Sequence, residues 1–258
     1  MNQKMKFLGK ILLPAALAAA LLSLTACGSG NSDDTSTTNE ASVTASTVNG
    51  EVPYTFFDDT VFVGDSVSLK LNLYVSAQRK IDSTFMGTAQ FLTPGSYGTG
   101  NELKELGSEN SVHPSYNGTE MYLADAIEAM GAKKVFIMLG MNDIAVYGND
   151  GAVKNMETVL AQIKEKNPDT AIYVQSMTPI VGTAQTGSLT HENLDIYNAG
   201  LKAMCEQNGY TYLDVASVMK DDEGNLKREY CSDPDNMGVH FTDEGCKVWI
   251  DYLRTHVS

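Results

Sequence analysis

Positive charge is scarce in this sequence. Its 258 residues include 18 Lys and Arg against 32 Asp and Glu, which gives a formal net charge of −14. Binding to the phosphates of a nucleic acid, or to an anionic lipid surface by attraction, requires a surplus of positive charge. The composition therefore argues against nucleic acid as a partner and against a protein that is held on a membrane by its charge.

Cysteine is also scarce, with four residues and no Cys-x-x-Cys pair. Cys27 lies in an N-terminal leader, which leaves Cys205, Cys231 and Cys246 in the remainder of the chain. An odd number of cysteines without paired spacing does not indicate a disulfide framework. The sequence leaves open a bridge between Cys231 and Cys246, but free thiols are the expectation.

Motifs for metals and nucleotides are missing as well. His191 has no second histidine four positions later, where Asp195 stands, so no zinc motif arises. Residues 98–100 (Gly-Thr-Gly) do not continue into a dinucleotide fingerprint, and residues 221–225 fail the spacing of a calcium loop. We therefore expect no metal and no cofactor.

His113 is isolated in the sequence, and we expect it at the protein surface or in the wall of a substrate cleft.

The N-terminus carries an export pattern. Three lysines precede an apolar run over residues 11–22, which is too short to span a bilayer and is typical of a secretory signal. The run ends at residues 24–27 (Leu-Thr-Ala-Cys), which resemble the bacterial lipobox. That resemblance implies cleavage before Cys27 and attachment of lipid to its sulfur.

Three segments follow from this pattern. Residues 1–26 form the predicted lipoprotein signal peptide, and residues 27–50 form a lipidated Cys27 with a flexible linker rich in Ser and Thr. Residues 51–258 form one folded domain. Loss of the three leader lysines leaves 15 basic against 32 acidic residues, a net charge of −17. The expected location is the outer face of a bacterial cell membrane, with membrane contact only through the lipid.

Apolar runs alternate with amphipathic stretches in the folded part. This alternation predicts an α/β fold with three layers, α/β/α, around a central parallel sheet of about five strands. The predicted strands lie at about residues 61–64, 81–86, 135–139, 171–177 and 210–215. The predicted helices cover residues 66–79, 119–130 with Thr119 as cap and Gly131 as terminator, 152–166, a stretch around 194–204 that ends at Gly209, and 242–254. Residues 90–118 are predicted as long loops.

Polar residues follow two of these strands directly. Residues 64–66 (Gly-Asp-Ser) come after the first strand, and residues 140–143 (Gly-Met-Asn-Asp) come after the strand at 135–139. Parallel strands end at one edge of the sheet, where ligands bind in such folds. Taken singly, Ser66 is also a good helix N-cap and Asn142 with Asp143 a good turn. Their common position favours a functional site.

Three short blocks resemble those of the SGNH, or GDSL-type, hydrolase superfamily. They are residues 64–66, residues 140–143 and residues 239–242 (Val-His-Phe-Thr), and the resemblance covers nearly the whole domain. It implies the flavodoxin-like SGNH hydrolase fold, with Ser66 as nucleophile and His240 as base. It also implies an oxyanion hole made of the Ser66 N–H, a glycine N–H and the Asn142 amide. Gly95 is the best match for that glycine, and Gly98 lies close enough to remain an alternative.

The chemistry requires these residue types. A serine hydroxyl attacks an ester only when a base accepts its proton, and histidine has the appropriate pKa. The carbonyl oxygen becomes negative in the tetrahedral intermediate, and preorganised donors stabilise it. An asparagine amide and backbone N–H groups supply such donors.

One position departs from the family pattern. The family usually has an aspartate three residues before its histidine, and here that position is Met237. Asp235 and Asp233 lie five and seven residues before His240, and one of them reaches its Nδ1 if the loop bulges; Asp235 is our candidate. Otherwise a backbone carbonyl orients the imidazole and a Ser–His dyad remains.

Two hypotheses of different classes follow. The first is a membrane-anchored serine esterase that removes acetyl or other short acyl groups from small-molecule or glycan esters, with a lysophospholipase or thioesterase as its neighbour in chemistry. The second, motivated by Met237, is an inactive surface lipoprotein that only binds its ligand. Turnover of an acyl ester by the soluble domain distinguishes them.

Overall fold

The computed structural model describes residues 50–257. The predicted signal peptide, lipidated Cys27 and almost all of the predicted linker lie outside the described residues. The strands are β1 (Thr60–Gly64), β2 (Gln90–Leu92), β3 (Ser115–Tyr116), β4 (Thr119–Glu120), β5 (Lys134–Met138), β6 (Ala171–Gln175) and β7 (Thr211–Leu213). The helices are α1 (Ser66–Gln78), α2 (Thr99–Glu102), α3 (Leu123–Met130), α4 (Ile144–Lys166), α5 (His191–Asn208), α6 (Ala216–Met219) and α7 (Asp243–His256).

A five-stranded parallel sheet forms the centre, in the order β2-β1-β5-β6-β7. β3 and β4 form a separate antiparallel ribbon. The chain moves outward from β1 to β2 in one direction and from β5 to β7 in the other. Right-handed crossovers therefore place α1 on one face and α4 and α5 on the opposite face. The contacts of α1 with α7, and of α4 with α3 and α5, agree with this arrangement. The predicted α/β/α class and the five-stranded parallel sheet are confirmed.

Aromatic rings pack across the sheet. Phe62, Phe136 and Tyr173 lie opposite one another on β1, β5 and β6, and their ring centroids are 5.0 and 4.4 Å apart. Phe91 on β2 extends the row, 5.2 Å from Phe62. Such offset-stacked pairs add to the free energy gained by burying the rings. They fix the register of four adjacent strands, and so the positions at which those strands end.

The predicted second strand at residues 81–86 is wrong, and the strand lies at β2 instead. Ile81, the apolar residue that opens the predicted strand, is 83% exposed. Asp82 accepts hydrogen bonds from the N–H and hydroxyl of Thr84, which forms a turn. Local side-chain bonds of this kind compete with strand pairing. Residues 90–118, predicted as loops throughout, contain β2, α2 and the first strand of the ribbon, β3.

Several helix boundaries differ from the prediction. Thr119 does not cap α3, since it belongs to β4 and α3 begins at Leu123. The helix predicted from residue 152 begins at Ile144, with a break at Gly148, whose φ is 66°. Gly131 and Gly209 end α3 and α5 in the left-handed conformation, as predicted.

Two features of residues 50–257 concern membranes and thiols. Within that part of the chain, no helix is both long and apolar enough to cross a bilayer. Cys205, Cys231 and Cys246 are free and buried. Burial raises the pKa of the Cys246 thiol to about 12, because it disfavours the thiolate.

Candidate active site

The turn after β1 places Ser66 at the carboxyl edge of the sheet. Ser66 is the first residue of α1, and its neighbour Asp65 caps the helix by accepting the Val67 N–H at 2.9 Å. Ser66 is therefore not the cap, and its hydroxyl is free for other contacts. The turn is tight enough to require glycine at position 64, since a Cβ there would lie 2.0 Å from Ser68 Oγ.

The neighbouring strand brings Asn142 to the same edge. β1 and β5 pair in parallel, with Gly64 opposite Met138, so the segments that follow these two residues run side by side. Asn142 lies four residues beyond Met138 and donates its Nδ2 to Asp65 Oδ2 at 3.0 Å. Two of the predicted blocks, 77 residues apart in sequence, are thus in direct contact.

His240 completes the contact from the far end of the chain. Its Nε2 lies 3.1 Å from Ser66 Oγ, although 174 residues separate the two. Backbone bonds hold the segment around His240, because its carbonyl accepts the Ser232 N–H and Thr242 N–H binds the Tyr230 carbonyl. α7 then packs beside α1. A helix pairing between the two ends of the domain therefore sets the Ser66–His240 distance.

Asp233 is the carboxylate on the imidazole, and the prediction of Asp235 is wrong. Asp233 Oδ2 lies 2.7 Å from His240 Nδ1, while Oδ1 accepts the backbone N–H groups of Val239 and His240. Asp235 points to solvent and pairs with Arg228 instead. The intervening loop bulges enough to bring residue 233 back to residue 240, and Gly238, with φ of 66°, makes the reversal. That glycine was the available sequence signal.

Met237, at the usual aspartate position, takes no part in this contact. It is 56% exposed, and the loop closes beneath it through the Asn236 and Gly238 N–H groups, which both bind the Asp233 carbonyl. The change of residue type at position 237 is thus accompanied by a longer loop that carries its carboxylate at position 233.

The surroundings of Asp233 stabilise its charged form. Partial burial disfavours the carboxylate, but hydrogen bonds from the ring and backbone of His240 and from the Cys231 thiol outweigh burial, so the pKa of Asp233 lies below its ordinary value. An ionised carboxylate on Nδ1 keeps the Nδ1–H tautomer of His240. Nε2 is then free to accept a proton from Ser66.

The loop after β2 borders the same edge. Asn142 Nδ2 also donates to the Tyr97 carbonyl at 3.0 Å, and Asp143 accepts the N–H groups of Thr99 and Gly100. These bonds attach the loop to the turn after β5. A Cβ at Gly98 would lie 2.8 Å from both carboxylate oxygens of Asp143. A Cβ at Gly95 would meet no atom within 4 Å.

A buried cluster anchors the same loop from below. Glu102 accepts the Tyr97 hydroxyl at 2.8 Å and the Leu123 N–H at 2.6 Å, and it lies 3.3 Å from His113 Nδ1. Burial is the main reason that the pKa of Glu102 is raised. His113 was expected at the surface or in a cleft wall, but its side chain is fully buried. No sequence signal predicted this cluster, since the spacing of its members follows no helix or strand period.

No cluster of three or more His, Cys, Asp or Glu side chains suited to a metal occurs among residues 50–257. The arrangement at the edge provides a hydroxyl, an imidazole, a carboxylate and amide donors. Such a set can transfer an acyl group through a covalent intermediate.

Comparisons with known proteins show the family and the fold. The sequence profile of the GDSL-like lipase/acylhydrolase family matches residues 100–248, which include Asn142, Asp233 and His240. No curated protein matches the chain significantly by sequence.

Solved structures share the fold. A GDSL-like lipase from Bacteroides thetaiotaomicron VPI-5482 superposes with a TM-score of 0.55 at 16% identity, covering 75% of this chain and 84% of that one. A mutant acetyl-xylooligosaccharide esterase from Geobacillus stearothermophilus has a TM-score of 0.51 at 13% identity, with 75% and 91% covered. The matched profile spans more than half of the chain, so this protein belongs to the GDSL-like lipase/acylhydrolase family, a family of hydrolases that act on esters.

Proposed function

We propose that the protein is a serine esterase in which Ser66 is the nucleophile, His240 the general base and Asp233 the residue that orients the imidazole. The observation that carries the proposal is the chain of contacts from Ser66 Oγ to His240 Nε2 at 3.1 Å and from His240 Nδ1 to Asp233 Oδ2 at 2.7 Å. A nucleophile, a base and an orienting carboxylate in this order are what acyl transfer needs.

In the first half of the reaction Ser66 Oγ attacks the ester carbonyl carbon while His240 Nε2 takes the hydroxyl proton. The carbonyl oxygen becomes an oxyanion, and the Ser66 N–H, the Asn142 amide and a backbone N–H of the loop after β2 stabilise it. Gly95 remains the proposed glycine donor, with Gly98 as the alternative. The intermediate collapses as His240 returns its proton to the leaving alcohol, which leaves an acyl-serine.

The second half repeats these steps with water. His240 accepts a proton from the water, whose oxygen attacks the acyl carbon. A second oxyanion forms, and the same hydrogen-bond donors stabilise it. Collapse breaks the bond to Ser66 Oγ, and the proton returns from His240 to that oxygen. The products are a carboxylic acid and the free serine, and no cofactor enters the balance.

Short acyl esters are the proposed substrates, with acetylated glycans as the first class to test. One relative of the same fold is an acetyl-xylooligosaccharide esterase, and an anchor beside a cell wall would place the enzyme near polysaccharide. A p-nitrophenyl ester series from acetate to laurate, a thioester and a lysophospholipid separate this proposal from a lysophospholipase or a thioesterase. Highest kcat/KM on acetate supports the short-acyl reading.

The alternative of a binding protein without activity was motivated by Met237. Asp233 removes that motive, because His240 has a carboxylate on its Nδ1 despite the methionine. We therefore propose the enzyme alone.

Export and anchoring through Cys27 are also proposed, on the strength of the leader sequence. The mature full chain is expected to carry lipid and to partition with membranes, and Cys27→Ser is expected to release it in soluble form. Metabolic labelling with an alkyne fatty acid tests both statements. An unlabelled wild-type chain would overturn the anchor while leaving the esterase proposal standing.

Covalent labelling tests the nucleophile. A fluorophosphonate should modify the purified domain at Ser66, as mapped by mass spectrometry of its peptides, and Ser66→Ala should lose both labelling and p-nitrophenyl acetate turnover. Ser76→Ala, which removes an exposed hydroxyl from the same helix, serves as the control and should retain both. Label on any other residue, or unchanged turnover in Ser66→Ala, contradicts the proposal.

A further inference from the structure

Asp65 is a buried carboxylate to which the proposed mechanism assigns no step. It is 1% exposed, and residues 50–257 hold no salt bridge to it. Oδ1 accepts the Val67 N–H at 2.9 Å and Oδ2 accepts Asn142 Nδ2 at 3.0 Å. Burying a carboxylate that has no cationic partner costs free energy. The position of Asp65 beside the proposed nucleophile therefore suggests a role in the reaction.

The hydrogen bonds of the Asn142 side-chain amide indicate this role. Its nitrogen carries two hydrogens and has two acceptors, Asp65 Oδ2 and the Tyr97 carbonyl, each at 3.0 Å. In this state neither hydrogen is committed to a substrate. A hydrogen bond to a charged acceptor is roughly twice as strong as one to a neutral acceptor. The hydrogen on Asp65 is therefore held, while the hydrogen on Tyr97 is the one that a developing oxyanion can capture.

We propose that Asp65 is a positioning residue, which as a carboxylate holds one hydrogen of the Asn142 amide and thereby presents the other to the oxyanion. The inference rests on the proposed esterase function and deepens it. Asp65 precedes Ser66 directly and caps the helix that Ser66 begins, so one side chain fixes the oxyanion donor relative to the nucleophile. The Tyr97 carbonyl accepts the hydrogen bond from the second hydrogen until the substrate oxygen becomes negative.

The charge of Asp65 decides which way the amide faces. A protonated Asp65 would place its own O–H against the Asn142 NH₂ group, which sets donor against donor. Rotation of the amide by 180° relieves that conflict but directs the amide oxygen to where the oxyanion forms. Protonation of Asp65 thus removes an oxyanion donor without touching the base.

The groups that act on this charge are few. Burial raises the pKa of Asp65 to about 6, the Val67 N–H and the His240 ring lower it, and the Asp143 carboxylate raises it. His240 comes from the segment before α7, and Asp143 from the start of α4. Titration of Asp65 therefore falls in the range where an esterase is assayed.

A double-mutant cycle with Asn142 tests the inference on the soluble domain. Asp65→Asn is neutral at every pH and mimics the protonated acid, so its kcat on p-nitrophenyl acetate at pH 8 should fall about ten- to a hundredfold with little change in KM; losing a whole donor costs about a hundred- to a thousandfold. In the Asn142→Ala background the same change should alter kcat less than about twofold. An equal loss in both backgrounds would show that Asp65 supports only the fold, and would overturn the inference.

The pH profile gives an independent readout. In the wild type, ionisation of Asp65 should contribute one proton to the acidic limb of kcat. In Asp65→Asn that limb should become less steep by one proton. An unchanged limb contradicts the inference. Ser66→Ala separates this outcome from failure of the proposed function, because an active Ser66→Ala would remove the esterase mechanism itself, whatever Asp65 does.

Discussion

Asp233 Oδ2 contacts His240 Nδ1 at 2.7 Å from a position seven residues earlier in the chain, where the related pattern places the carboxylate three residues earlier. Oδ1 of the same carboxylate accepts two backbone N–H groups from the end of that loop. One side chain thus closes the loop and orients the imidazole. The contact between an imidazole and its carboxylate can be preserved while the number of residues between them changes, because the contact depends on the distance between the two side chains and not on their spacing along the chain.

Asp233→Asn should lower kcat on p-nitrophenyl acetate by about a hundredfold to ten-thousandfold, since an amide at this position favours the wrong tautomer of His240. Asp235→Asn is the matched control, because Asp235 lies two residues away, is exposed and pairs with Arg228. Its kcat should stay within about twofold of the wild type. Steady-state kinetics of both variants at pH 8 measure the difference, and equal losses would contradict our assignment.

Met237→Asp should not restore the activity of Asp233→Asn. The side chain at position 237 is exposed, and the bulged loop holds it away from the closing contact. The double variant is expected to remain within about threefold of Asp233→Asn in kcat. Recovery of tenfold or more would mean that the loop can adopt the shorter spacing.

Gly98→Ala should destabilise the loop after β2, while Gly95→Ala should leave the fold intact. The added methyl at position 98 collides with the Asp143 carboxylate, and the methyl at position 95 meets open space. Thermal unfolding should show a lower Tm for Gly98→Ala alone. If Gly95 supplies the oxyanion donor, the added methyl lies beside the oxyanion, and the alanine variant should lose kcat/KM at unchanged Tm; equal Tm for both variants would contradict the steric argument.

The stability of Asp65→Asn relative to the wild type should increase with pH. The pKa of Asp65 is raised from 3.8 to about 6, so the folded state disfavours its ionised form. That cost is absent below pH 3.8 and complete above about pH 6, where it amounts to at most about 3 kcal/mol. Urea unfolding at pH 5 and pH 8 should therefore show that the free energy of unfolding of the variant, minus that of the wild type, increases with pH.

Asp233→Asn provides the opposite sign as a control for that measurement. The pKa of Asp233 is lowered in the folded state, so its ionised form contributes stability at neutral pH that is lost on acidification. The variant should be less stable than the wild type at pH 8, with the gap narrowing as the pH falls. If the stability differences of both variants changed with pH in the same direction, the opposite pKa shifts assigned to Asp65 and Asp233 would be contradicted.

The sequence predicted most of the architecture because strand and helix periods are local properties. The single strands, the turn at Ser66, the helix ends at Gly131 and Gly209 and the capped final helix all depend on neighbours within a few residues. The prediction of a strand at residues 81–86 was wrong because local pattern alone does not decide which segment pairs with the sheet. The apolar residues of this segment suit a strand, but the turn at Asp82 and the pairing available to β2 decided the outcome.

The sequence by itself determined which residue types could perform the chemistry and that Ser66 and Asn142 would share an edge of the sheet, since parallel strands end together. Only the tertiary structure decided that Asp233 rather than Asp235 contacts His240, and that Asp65 binds the Asn142 amide. Those contacts depend on how a loop bulges and how two turns pack. Differences of a few ångströms decide them, and residue spacing along the chain does not specify such distances.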